Sequence, residues 1–343
     1  MRPSFLLRWA GVTLAGIVLM LPAPARAKPG VKVGQGPHRY EWVEGWPKLP
    51  PGMNVGQTHG DVVIDSKDRV FFSVDTGNAL FMADPEGRIL RVFGQDLAAG
   101  IHGMRLVKEA NGREVIWLAH LGRHEVIKIS LTGETLLTIP FPDRRGIYRT
   151  AEEYRPTAVD VAPNGDVYVV DGYGRYWLHR FDNEGNYVQS WNGSEGQAGP
   201  FREPHGVGID LRGATPQVVV ADRANHRLQR FALDGTYLGQ VEEGLRRPSK
   251  IVARGRDLLV VDLEGRVTLF DESYRVTAHL GDNSNPELRG KYAVPPAEWR
   301  PGEFNAPHGA AWDSQGNLYV AEWNAYGRIN KLLRKPAEPA APR

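Results

Sequence analysis

Three histidines, each followed by glycine, recur at a fixed interval: His102 in "GIHGMR", His205 in "REPHGV" and His308 in "NAPHGA", 103 residues apart each time. Three neutral imidazoles converging on one point offer the nitrogen ligands that zinc takes at about 2.1 Å, with a fourth position left for water or substrate. Other divalent transition metals accept the same donors. One such histidine alone would more often bond a loop carbonyl; three at matched positions tip the balance toward a ligand set. A fourth, His59 in "QTHGDV", has the same local setting in a different phase and reads as a group beside the metal or on the substrate. The chain contains no cysteine, which excludes thiolate metal sites, a cysteine nucleophile and disulfide staples.

A repeat supplies the means of bringing these residues together. The segments "DRVFFSVD" ending at Asp75, "EVIWLAH" at His120, "GDVYVVD" at Asp171, "PQVVVAD" at Asp222, "DLLVVD" at Asp262 and "GNLYVAE" at Glu322 are one unit repeated, with ends 45, 51, 51, 40 and 60 residues apart. Each run is rich in β-branched or aromatic residues, and hairpin turn signals follow in "LHRFDNEGNYVQSW" and "LQRFALDGTYLGQV". Six such units predict an all-β chain, a six-bladed β-propeller with four-stranded antiparallel blades. A solenoid would need capping repeats, and none is evident. The last unit offers only three strands, so the N-terminal strand "HRYEWVEGW", residues 38–46, is expected to close the last blade and remove both sheet edges. The propeller then spans residues 38–335, between a flexible linker at 28–37 and a disordered tail at 336–343, with no second domain.

In a propeller the innermost strand of each blade lines the channel, and its leading end opens at one mouth. The equivalent leading positions hold His59, His102, Thr157, His205, Ser249 and His308. His102, His205 and His308 therefore belong to alternate blades and should approach three-fold symmetry around the axis. The loops between second and third strands open at the same mouth. They carry Tyr173 and Arg175 in "DGYGRYW" and Arg223, Asn225 and His226 in "ADRANHR"; Tyr173 and Arg223 stand out because they flank the His205 blade. Asp160, Asp210 and Asp313 close the first strands at the other face and read as turn formers. The stretch 282–304, between units five and six, emerges at the histidine mouth as a specificity element, a lid or a surface loop.

The first 27 residues, "MRPSFLLRWAGVTLAGIVLMLPAPARA", have the order of a secretory signal: arginines, 13 apolar residues from Trp9 to Leu21, then a small-residue site with cleavage expected after Ala27. The apolar stretch is short for a membrane span, which needs about 20 residues. A secreted or periplasmic protein without a stable membrane anchor is expected. Cleavage removes three arginines and no acids, turning 42 cations against 40 anions into 39 against 40. With no remaining basic cluster, nucleic acid is not an expected partner. A monomer acting on a small molecule or a peptide is.

The run "DGYGRYWLHRFDNEGNYVQSW", followed by "PFREPHGVGID" and "VVVADRANHRLQRF", resembles the peptidylglycine α-amidating lyases, a family of NHL-repeat six-bladed propellers. The likeness extends from about Gln57 to Leu333. The resemblance implies zinc on His102, His205 and His308, Tyr173 as catalytic tyrosine, Arg223 as a catalytic and carboxylate-binding arginine, and cleavage of a peptidyl-α-hydroxyglycine to an amide and glyoxylate. A second family arginine aligns with His59, which weakens or reshapes carboxylate recognition. Gly309 replaces the acid that helps to hold a structural calcium, which puts that calcium in doubt, and the family's disulfide cysteines are absent. The residues by themselves leave open a noncatalytic propeller binding a protein or glycan, and a metal-dependent hydrolase.

Overall fold

The computed structural model describes residues 30–142 and 146–336. The expected signal segment 1–27 and the last seven residues of the tail lie outside them. Among the described residues, twenty-five strands form six antiparallel sheets arranged as propeller blades. The first five blades comprise β3–β6 (Val62 to Phe93), β7–β10 (Ile101 to Ile139), β11–β14 (Ala158 to Trp191), β15–β18 (Pro204 to Val241) and β19–β22 (Pro248 to Leu280). The sixth is built from β23 (Pro307–Trp312), β24 (Leu318–Glu322) and β25 (Ile329–Arg334), with β2 (His38–Val43) paired to β25. The innermost strands β3, β7, β11, β15, β19 and β23 contact one another in turn, and β23 meets β3 to close the ring.

The sequence pattern explains the layering. Second strands such as β12, "VYVV", are buried along their whole length because a neighbouring blade covers each face. Outermost strands such as β18, "YLGQV", alternate between half-buried and exposed. The hairpin turns read from the sequence hold Gly185 and Gly235 at φ of 86° and 93°, left-handed backbone that a side chain would strain. The hydrophobic core is divided between blades. Ala158, Tyr168 and Trp191 of the third blade interlock with Val207, Val218 and Phe231 of the fourth. Burying each large side chain of this kind contributes roughly 1.5–3 kcal/mol.

Closure of the ring by the N-terminal strand follows the expected pairing, with Tyr40 opposite Arg334 and Trp42 opposite Leu332. Trp42 also packs at 4.9 Å from the Phe304 ring. The expected linker at 28–37 needs correction. Residues Lys32–Gln35 form β1, which pairs with β2 through a tight turn at Gly36 and Pro37 and makes the sixth sheet five-stranded. Its glycine and proline content marked a loop, but Gly34 and Gly36 take positive φ within a hairpin, and Val33 is buried against the sixth blade's core.

On the channel axis Lys250 of the fifth blade is buried against Asp61 of the first. Its Nζ lies 2.6 Å from Asp61 Oδ2 and donates to the Met104 carbonyl of the second blade at 2.8 Å. The Asp61 carboxylate also accepts from the Val62 and Met104 amides. One buried charge pair thus ties three blades. Removing one partner of such a pair strands a charge in low dielectric, at a cost of about 3–5 kcal/mol. Lys250→Met is therefore expected to lower unfolding stability by about that amount in denaturant titration, and Asp61→Asn combined with Lys250→Met to recover much of the loss.

Candidate metal centre

Acids at the ends of second strands place the residues at the histidine mouth. Asp171 accepts the Arg155 amide at 2.6 Å, Asp222 the Arg202 amide at 2.7 Å, Asp262 the Arg246 amide at 2.9 Å, and Glu322 the Asn305 and Ala306 amides at 2.7 and 2.9 Å. Each accepted amide lies two or three residues before the leading position of its own blade's inner strand. The carboxylate therefore fixes how that strand enters the channel, and with it the directions of His205 and His308.

The three spaced histidines meet. Their ring centroids are 4.7 Å apart in every pairing, and all three side chains are buried. Each Nδ1 faces a carbonyl of the next blade: His102 that of Thr157 at 2.6 Å, His205 that of Ser249 at 3.0 Å, and His308 that of Gly60 at 2.9 Å. A carbonyl only accepts, so each Nδ1 carries the proton and each Nε2 presents a lone pair. Among the described residues, Nε2 of His102 and of His308 is buried without a partner, and Nε2 of His205 faces the Tyr173 hydroxyl at 3.1 Å. A cavity of about 10 Å³, the room one atom needs, is lined by the three histidines, Asp61 and Lys250.

Electrostatics keep these rings neutral, as metal ligation requires. Burial holds all three imidazoles well below their ordinary pKa; the next contribution comes from His308 for His102, from Arg223 for His205 and from His59 for His308. Buried, unpartnered nitrogens cost roughly 1–3 kcal/mol each. A transition-metal ion would satisfy them, so the residues fit the metal that the spacing suggests.

His59 joins the cluster from above, its ring 4.7 Å from His102 and 5.0 Å from His308. Among the described residues, the ligand atoms that gather within 4.8 Å of one another are those of His59, His102 and His308, a set in which His59 stands in place of His205. The carbonyl anchors favour the set with His205 instead. His59 has no carbonyl fixing its Nδ1, which instead faces Asp75 at 4.0 Å, and its Nε2 points toward the Tyr173 hydroxyl at 3.4 Å. Burial and then Arg223 lower the His59 pKa to about 4, and burial raises that of Asp75 to about 6.

Tyr173 and Arg223 lie where the loop argument places them. Gly172 is needed there, since a Cβ would sit 2.3 Å from the Pro204 carbonyl of the next blade. Gly174 is likewise hemmed in by the Asp171 carboxylate. Arg223, in a single-turn 3-10 helix at Arg223–Asn225, donates to the Tyr173 hydroxyl at 3.4 Å and lies 5.3 Å from the ring centre. Its other amino group reaches Glu203 at 3.4 Å, and its Nε is buried without a partner among the described residues. Burial pushes the Tyr173 phenol up, and the Arg223 charge opposes that shift.

Other residues named from the sequence fall elsewhere. Arg175 pairs with Glu153 at 2.5 Å, and the Asn225 side chain is bonded to Asp222 at 2.9 Å. Asp160 does more than form a turn: it accepts the Ile209 amide of the next blade at 2.8 Å and holds Arg105 at 2.8 Å. Lys250 and Trp323 carried no sequence signal. The residues do not fit a calcium ion beneath the histidines. The Lys250 ammonium already meets the Met104 carbonyl and the Asp61 carboxylate there, and a side chain at Gly309 would come within 2.3 Å of Asp61 Oδ1.

No family model matches the chain. Among known proteins it is similar to peptidyl-glycine alpha-amidating monooxygenase B of Xenopus laevis, 27% identical over 301 residues that cover 81% of this chain and 32% of that protein. It is also similar to peptidyl-alpha-hydroxyglycine alpha-amidating lyase 1 of Drosophila melanogaster, 25% identical over 300 residues, 82% of this chain and 53% of that one. A third relative is NHL repeat-containing protein 3 of Homo sapiens, 28% identical over 244 residues, 65% and 67% of the two chains. The chain thus spans about a third of the length of the Xenopus proteins it matches. Among solved structures, streptogramin B lyase aligns with a TM-score of 0.56 at 14% identity, covering 90% of this chain and all of that one. Virginiamycin B lyase from Staphylococcus aureus aligns at 0.52 and 13% identity, covering 82% and 96%. The last two likenesses are of fold. The resemblance to amidating lyases and NHL-repeat proteins is present at modest identity.

The two overlapping ligand sets predict different variants. Purified protein loaded with zinc is expected to hold one equivalent by elemental analysis and to gain about 2.7 kcal/mol of stability at a free metal concentration of about 100 Kd. His102→Ala, His205→Ala and His308→Ala should each abolish both, while His59→Ala keeps them. Retention in His205→Ala with loss in His59→Ala would assign the other set.

Proposed function

We propose that the protein is a metal-dependent carbon–nitrogen lyase that cleaves an α-hydroxyglycine-type carbinolamide to an amide and glyoxylate. The observation that carries this reading is the ring of three carbonyl-anchored imidazoles whose Nε2 atoms turn inward beside a phenol held by a buried guanidinium. The similarity to proteins named amidating lyases supports the same reaction class. His102, His205 and His308 would hold zinc or another divalent transition metal, which when bound supplies Lewis acidity to the substrate hydroxyl.

The chain's own residues then divide the remaining work. Tyr173 Oη, in reach of both His205 and Arg223, takes the hydroxyl proton as general base. The O–H electron pair becomes the new carbonyl bond of glyoxylate, and the carbon–nitrogen pair departs with the amide nitrogen. The proton held on Tyr173 returns to that nitrogen, so that the products are a neutral amide and glyoxylate. Burial disfavours the phenolate that this requires and leaves the phenol above its ordinary pKa, and Arg223 reduces that penalty in part. The donors of Arg223 are only loosely engaged, so the guanidinium can also clamp the substrate carboxylate. His59, on the far side of the Tyr173 hydroxyl, contacts the substrate where a second cation would otherwise stand.

The signal-like N terminus extends the proposal to export, with the protein acting as a secreted or periplasmic monomer on a small-molecule or peptide substrate. Metal-loaded protein should release glyoxylate from α-hydroxyhippuric acid. Tyr173→Phe is expected to lower kcat by roughly 10²–10⁴-fold, the usual contribution of a general base, with metal content unchanged. Arg223→Lys should raise KM. A metal-loaded protein that leaves α-hydroxyhippuric acid intact would sink the substrate assignment and turn attention to a hydrolase or a partner-binding propeller.

A further inference from the structure

The insertion at 282–304 is folded against the propeller. Asn283 Nδ2 donates to the Phe304 carbonyl at 2.7 Å, the Gly290 amide to the Asn305 carbonyl at 2.8 Å and Trp299 Nε1 to the Val294 carbonyl at 2.9 Å. Single-turn helices at Pro286–Leu288 and Pro296–Glu298 punctuate it. Between them Tyr292 accepts the Ala325 amide at 3.0 Å and lays its ring 5.0 Å from Trp323, tilted by 31°. Trp323 in turn lies 5.8 Å from the His59 ring.

Trp323 is fixed by the strands that carry the imidazoles. Its amide donates to the Ala306 carbonyl, two residues before His308, at 2.8 Å. The next residue, Asn324, exchanges both backbone bonds with Thr58, each at 2.9 Å, one residue before His59. Tyr292 and Trp323 are both half-buried, so part of each ring stays accessible at the mouth. The result is a rigid aromatic surface that begins at His59 and runs outward.

Resting on the lyase reading, we propose that Tyr292 and Trp323 form a ledge that receives the acyl side of the substrate and selects an aryl or bulky apolar group next to the scissile carbon–nitrogen bond. With the glycine carboxylate at Arg223 and the hydroxyl at Tyr173, the His59 side is where the acyl group can extend. An aromatic ledge there offers dispersion and edge-to-face contacts that a small acetyl group cannot use.

The test compares two hydroxyglycines and their unreactive glycine analogues. α-Hydroxyhippuric acid should be cleaved with higher kcat/KM than N-acetyl-α-hydroxyglycine. Trp323→Ala should shrink that ratio roughly two- to tenfold, mostly through KM, with metal content unchanged, and Trp323→Phe should restore most of it. Tyr292→Ala should act in the same direction. Hippurate should bind metal-loaded protein more tightly than N-acetylglycine in titration calorimetry, and Trp323→Ala should erase the difference. This binding comparison separates the two readings: hippurate preference without glyoxylate release overturns the lyase and keeps the ledge. Equal binding of hippurate and N-acetylglycine, or a ratio untouched by Trp323→Ala and Tyr292→Ala, overturns the ledge.

Discussion

The centre depends on one interaction made three times: an imidazole Nδ1 of one blade donating to a carbonyl at the start of the next blade's innermost strand. The bond fixes the tautomer, the ring plane and the inward direction of Nε2 together. It also runs between blades, so the site's geometry is a property of the closed ring. The last of the three bonds crosses from the sixth blade to the first, between His308 and Gly60, which ties the candidate metal centre to the seam that β2 closes.

Below the histidines the ring is held by charge. Lys250, Asp61 and the Met104 backbone place an ammonium on the axis, and Gly309 leaves the space that Asp61 fills. A divalent cation would compete with that ammonium for the same oxygens, so the cation holding this channel is covalently part of the chain. Above the histidines the polarity changes. Tyr173 sits between His205, His59 and Arg223, and burial and positive charge act on its phenol in opposite senses. The unpartnered Nε2 atoms of His102 and His308 and the upward push on the Tyr173 phenol share one cause, burial between packed blades, which the Arg223 charge opposes at Tyr173.

Much of this was legible in the residues. The alternation and period of the strand segments specified six blades, because side-chain direction in a strand follows residue parity and each unit repeats the same turn chemistry. Equal spacing of His102, His205 and His308 then implied alternate blades, and the position of Tyr173 and Arg223 in second-to-third loops implied the same mouth. The linker reading of residues 28–37 failed because glycine and proline signal a turn equally well inside a hairpin as inside a loop. Lys250 was invisible because nothing in "RRPSKI" distinguishes a buried lysine from a solvated one; its burial depends on Asp61, 189 residues away.

The sequence by itself determined the repeat, the number of blades, the closing N-terminal strand and the set of side chains that gather at one mouth, since all of these follow from local periodicity and from the order of units around a ring. Only the tertiary structure decided which nitrogen each histidine turns inward, that His59 overlies two of the rings, that Trp323 lies beside it with Tyr292 tilted against Trp323, and that Lys250 fills the axis. These outcomes rest on carbonyls, rings and carboxylates contributed by other blades, whose distances are set by how the sheets pack and carry no signature in the neighbouring residues.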